Sequence, residues 1–134
     1  MIRMFPLALA AALLSGPAFA GKVVVAANSP QAALDTAAAQ AIFLGRTNQV
    51  GGQNAVVVFQ NGPVRADFES KVLGRSGAQL AAHWSRLVFT GRAKAPEEVA
   101  NDAAVKAKLA STPGAIGYIS DAAVDASVKV LLDF

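Results

Sequence analysis

The chain has 134 residues, of which 54% are apolar, with a formal charge of +3, one histidine and no cysteine. These values exclude a disulfide-stapled scaffold and a transition-metal centre built from cysteine and histidine. A surplus of three charges, with no interleaving of basic and aromatic residues, also excludes a nucleic-acid footprint and leaves at most a weak pull on small anions.

At the amino terminus Arg3 precedes an apolar run from Phe5 to Leu14. Gly16-Pro17 breaks it, and Ala18-Phe19-Ala20 gives a small-x-small pattern before Gly21. The run is about half a membrane span in length, so residues 1–20 read as an export signal that is cleaved. The absence of cysteine removes any lipid-attachment site. A released protein, periplasmic or secreted and with no membrane span after cleavage, is expected. Residues 21–134 then form one domain, of a size that buries a core without staples.

Lys22 to Ala27 is β-branched and apolar on both faces, which predicts a buried strand ended by Asn28-Ser29-Pro30. Asp35 is placed to cap a helix over 36–44, with Ala38, Ala41 and Ile42 inward and Gly45 as its left-handed stop. Asn48 to Asn54 reads as a turn-rich loop, and Ala55 to Phe59 as a second buried strand. Pro63 suits the first turn of a helix reaching Leu73, in which Val64, Phe68 and Val72 share a face and Gly74 ends the run. Ser76 with Gln79 has the form of a capping box, opening a helix with an apolar stripe of Leu80, Trp84, Leu87 and Val88. Pro96-Glu97-Glu98 is expected to begin a short helical turn. Asn101 or Asp102 should cap a further helix to Ser111, with Val105 and Leu109 inward. Gly114 to Ile119 and Val128 to Leu132 are the last two predicted strands. Alternating strands and helices predict an α/β fold with a mixed sheet.

Five segments in this order, VVVAAN (23–28), AIFLGRT (41–47), VVVFQ (56–60), LVFTG (87–91) and TPGAIGYI (112–119), resemble small proteins grouped with the phosphate ABC transporter periplasmic substrate-binding proteins. The resemblance implies a type 2 periplasmic-binding-protein-like fold. Full-length members have two α/β lobes with an anion in the cleft between them. The present chain has room for one lobe, expected as a mixed sheet of about four to five strands flanked by helices. The family's phosphate signature is a Ser-Gly-Thr run at a helix amino terminus, preceded by arginine. At the matching position this chain has Gln60-Asn61-Gly62-Pro63-Val64-Arg65, without the hydroxyls.

The candidate ligand-binding residues are therefore Gln60, Asn61, Gly62 and Arg65. Unpaired amides and the helix dipole favour an anion at a helix entry, and arginine adds a fork of donors. Asn28 and Ser29 join them, because strand carboxyl ends in open α/β sheets face ligand crevices. Each also has a plainer reading, as a strand-to-helix turn, a solvated arginine and an Asn-Ser-Pro turn. Thr90-Gly91-Arg92, with Arg86 and Lys94, forms a small basic cluster suited to a second anion or an acidic partner, or to a solvated helix end. Tyr118 is expected in the core with its hydroxyl bonded. His83 is expected at the surface or boundary.

No serine lies in a G-x-S-x-G elbow, Glu97-Glu98 would diverge on a helix, and Gly51-Gly52 lacks the lysine of a phosphate loop. The expectation is a non-catalytic protein without metal or cofactor. Its partner would be a small oxyanion or polar solute, with an ABC permease or another envelope protein as recipient. A homodimer that pairs two single lobes is compatible with this reading. The alternative is an envelope scaffold or regulatory module that uses a degenerate lobe to bind another protein.

Overall fold

The computed structural model describes residues 20–134, so the expected signal segment lies, apart from Ala20, outside the described residues. The elements in chain order are β1 (Gly21–Ala26), α1 (Thr36–Phe43), β2 (Gln49–Val50), β3 (Gln53–Asn54), β4 (Val56–Gln60), α2 (Val64–Phe68), α3 (Gly77–Phe89), β5 (Glu97–Val99), α4 (Asp102–Ser111), β6 (Ala115–Ser120) and β7 (Val128–Asp133). Five strands form one mixed sheet in the order β5-β4-β6-β1-β7, while β2 and β3 form a separate hairpin. Strand β4 runs parallel to β5 and β6, and β1 runs antiparallel to both β6 and β7.

Strand alternation divides the core into two layers. Val23, Val25, Phe59, Ile116 and Tyr118 face α1, α2 and α3, whereas Val24, Val58 and Ile119 face Val105 and Leu109 of α4. The first layer is aromatic. Phe68 stacks on Tyr118 with ring centres 3.9 Å apart, and Phe43 meets Phe68 edge-on at 4.7 Å. On the second face a Cβ at Gly117 would lie 2.7 Å from Val105 Cγ1, so glycine lets α4 sit against the sheet.

Helix ends follow local chemistry where the predicted caps form. Asp35 Oδ1 accepts from the Ala38 amide at 2.7 Å, and Asn101 Oδ1 accepts from the Ala104 amide at 3.0 Å. Ser76 precedes α3 but makes no capping bond, so the predicted box is absent. The buried residues of α1 are Ala39, Ile42 and Phe43 rather than the predicted Ala38, Ala41 and Ile42. In so uniformly apolar a segment periodicity does not single out a face, and the bulk of Phe43 decides the orientation.

Three further expectations change. The loop at 48–54 closes as the β2–β3 hairpin. The helix from Val64 is α-helical only to Phe68 and continues as a π-helical turn over Glu69–Leu73, whose Val72 and Leu73 carbonyls accept from Gln40 Nε2 at 3.3 and 3.1 Å. Glu97–Val99 is a parallel edge strand rather than a helical turn, because β4 offers it a ladder from Val58 to Gln60. Charged side chains suit such an edge. Val88, predicted in the buried stripe of α3, is 42% exposed, and Phe89 beside it is 92% exposed.

Candidate functional site

Parallel strands β4, β5 and β6 end together, and this carboxyl edge carries most of the polar chemistry of the buried interior. Gln60 ends β4 and is 1% exposed. Its backbone N–H donates to the Tyr118 hydroxyl at 3.2 Å, and that hydroxyl donates back to the Gln60 carbonyl at 3.1 Å. Its Nε2 donates to the Tyr118 carbonyl at 2.8 Å and to Asp102 Oδ1 at 2.7 Å. Both amide protons of Gln60 are therefore used inside the protein. Asp102, the first residue of α4, also accepts from the Ser120 amide at 3.1 Å and the Ser120 hydroxyl at 2.5 Å.

Desolvation works to raise the Asp102 pKa, but the bonds from Ser120 and Gln60 and the charge of Lys106 outweigh it and hold the carboxyl below its ordinary value. Burial drives the Tyr118 phenol well above its ordinary value, so it serves as a neutral donor and acceptor. The chain thus supplies its own anion at the α4 amino terminus, where the helix dipole favours one.

Arg65 is the second residue of α2 and is partly covered. Its Nε meets Glu69 Oε2 at 2.7 Å, and its Nη1 meets Glu98 Oε1 at 2.9 Å and Asn61 Oδ1 at 2.8 Å. The guanidinium carbon lies 5.2 Å from the ring centre of Phe59, a cation–π contact. Desolvation would lower the Arg65 pKa, yet Glu69 and Glu98 together raise it above the ordinary value. The corner as a whole carries one cation against two carboxylates.

Its backbone donors are also reduced. The Asn61 amide donates to the Val99 carbonyl, the Arg65 amide donates to the Gly62 carbonyl, and Pro63 has none. A Cβ at Gly62 would lie 2.5 Å from Gln60 Oε1, so a larger residue there would have to displace the hydrogen-bonded Gln60 amide. Beside this corner opens a cleft of about 500 Å³, with Phe59, Leu80, Trp84 and Val88 on its walls and Arg65 and Glu98 as its charged members.

The six residues singled out in the sequence do not converge. Asn61, Gly62 and Arg65 share the carboxyl edge, with Gln60 turned into the core beneath them. Asn28 and Ser29 follow β1, and because β1 runs antiparallel they lie at the opposite edge of the sheet. Ser29 closes a turn there, its amide donating to the Ala26 carbonyl and its hydroxyl accepting from the Gln31 amide at 3.2 Å. The sequence reading missed Asp102, Ser120, Glu69 and Glu98 as members of the site. One signal was available: a glutamine ending a VVVF strand must find partners if buried.

His83 is half-buried between Leu44 and Arg75. Since arginine can only donate, Nδ1 accepts from Arg75 Nη1 at 3.0 Å and Nε2 carries the proton given to the Leu44 carbonyl at 2.7 Å. Among the described residues, no group of three or more histidine, aspartate or glutamate side chains could hold a metal ion. Also among them, no helix is long and apolar enough to cross a membrane.

No protein-family model and no curated protein sequence matches the chain. Solved structures do. An ABC-type phosphate transport receptor from Vibrio cholerae superposes with a TM-score of 0.65 at 22% identity, over 84% of this chain and 45% of its own. A phosphate ABC transporter substrate-binding protein from Clostridium perfringens, solved with bound phosphate, gives 0.63 at 18% identity, over 84% and 44%. PstS from Borrelia burgdorferi gives 0.62 at 13% identity, over 84% and 46%. The chain therefore has the fold of phosphate-type substrate-binding proteins, a five-stranded mixed sheet flanked by helices, and spans less than half the length of those neighbours.

Proposed function

We propose that this chain is an exported, non-catalytic solute-binding protein that takes a small oxyanion or another polar solute at the corner between β4 and α2. Arg65 is the charged contact, with Asn61 and Gly62 beside it, while Gln60 supports the corner from within the core. Asn28 and Ser29, at the far edge of the sheet, stand outside the proposed site. The observation that carries this reading is the fold shared with phosphate transport receptors, one of them solved with phosphate bound.

The electrostatics set the strength of binding. An anion arriving at Arg65 must compete with Glu69 and Glu98, of which Glu98 is the more exposed. Weak, millimolar binding follows, unlike a dry cage in which every oxygen of the ligand finds its own donor. Periplasmic residence, delivery to an ABC permease or other envelope protein, and pairing of two lobes over one cleft belong to the same reading.

The test is a thermal-shift panel with millimolar phosphate and sulfate. Ligand that binds the native state raises Tm by mass action. The wild-type chain should gain stability, Arg65→Ala should lose the gain, and Glu98→Gln should enlarge it by removing the competing charge. No gain with either anion, in wild type or in Glu98→Gln, overturns the proposal.

A further inference from the structure

A second cleft opens at the other edge of the sheet from Arg65. There the loop after α3 meets the amino-terminal ends of β4 and β5 and the last turn of α4. It encloses about 710 Å³, within the range of roughly 300–1,000 Å³ found for small-molecule sites. Its floor is apolar, with Ile42, Val57, Ala93 and the indole of Trp84 among its walls, and its rim carries Arg92, Lys94 and Lys108.

The charge balance is the reverse of that at the Arg65 corner. One carboxylate, Glu97, answers three cations, and it is paired with Lys108 at 3.1 Å. Among the described residues, the side chains of Arg92 and Lys94 have no ionic or hydrogen-bonding partner. Trp84 is 7% exposed, and its benzo-ring edge lies against Gly45, another residue of this cleft.

We propose that this cleft is a binding site for a small organic anion with an apolar body, an aryl or short alkyl carboxylate or phosphonate. Two exposed cations in high dielectric hold a bare, hydrated ion poorly. Burial of an aryl or alkyl group on the floor supplies the remaining affinity, while the cations orient the charged end and draw it in. The charged rim of this site shares no residue with the Arg65 corner, although Trp84 lies between the two clefts, and the proposal does not rest on the function proposed there.

Trp84 is the chain's only tryptophan and lines both clefts, so its emission reports binding in either, and the Arg92/Lys94 and Arg65 variants assign the change to one of them. Titration of the chain with phenylphosphonate should give a saturable change in that emission. The double substitution Arg92→Ala/Lys94→Ala, at two exposed side chains, should weaken the response by roughly tenfold. Benzyl alcohol, which has the ring without the charge, should give no saturable change. Arg65→Ala, which removes the phosphate stabilisation under the function proposed above, should leave the phenylphosphonate response in place, so that the two ideas fail separately. No saturable response, a response untouched by Arg92→Ala/Lys94→Ala, an equal response to benzyl alcohol, or one that Arg65→Ala removes would each overturn the proposal.

Discussion

Replacing Asp102 by alanine tests whether the carboxyl edge is held by an internal anion. The substitution removes the acceptor of three bonds, from Gln60 Nε2 at 2.7 Å, the Ser120 amide at 3.1 Å and the Ser120 hydroxyl at 2.5 Å. Gln60 cannot turn to water, because it is 1% exposed. One of its amide protons is then orphaned in the core, which costs about 1–3 kcal/mol. Loss of a carboxylate from the first turn of α4 adds about 0.3–1 kcal/mol. Ser120 is only half-buried and can recover part of its bonding from solvent, so the total should be about 2–4 kcal/mol, a drop of roughly 1–2 M in the urea midpoint.

The pH dependence has a definite sign. The folded-state pKa of Asp102 is depressed, so its stabilisation is fully present above the unfolded-state value of about 4 and is lost as pH falls through the folded-state value. Urea unfolding of wild type and Asp102→Ala, followed from neutral pH downwards, should show a gap that narrows in acid. A loss below about 0.5 kcal/mol at neutral pH, the scale of an ordinary surface change, would refute the idea that this carboxylate holds the edge together.

Tyr118→Phe keeps the ring stacked on Phe68 at 3.9 Å but leaves the Gln60 amide and carbonyl without the hydroxyl that bridges them. A loss of about 1–3 kcal/mol is expected in urea unfolding, with little change in near-ultraviolet circular dichroism. Gly117→Ala places a methyl 2.7 Å from Val105 Cγ1, and separating α4 from the sheet should cost about 1–3 kcal/mol. A neutral result there would mean that α4 shifts freely.

Much of the architecture was legible because it is written locally. The β-branched runs at 23–25 and 56–58, the caps Asp35 and Asn101, and the stops at Gly45 and Gly74 each act within a few residues and need no distant partner. The order of the five quoted segments carried the fold resemblance, and the solved structures share that fold. Local signals failed where two choices were equally good over a short span. The apolar α1 offered several faces, and Glu97–Val99 became a strand only because β4 had a free edge.

The candidate site was less legible, and for one reason. Asn28-Ser29 and Gln60-Asn61 both follow apolar strands and look equivalent in the sequence, yet strand direction separates them by the length of the sheet. Direction is set by which strands pair, a property of contacts many residues apart. Arg65 likewise meets Glu98 across 33 positions, and Gln60 meets Asp102 across 42. The amino-acid order determined which segments form strands and helices and where most of them stop, because backbone propensity and capping are short-range. Only the tertiary structure decided which polar groups share an edge and which of them are already neutralised, because charge and hydrogen-bond partners are chosen by distance in space.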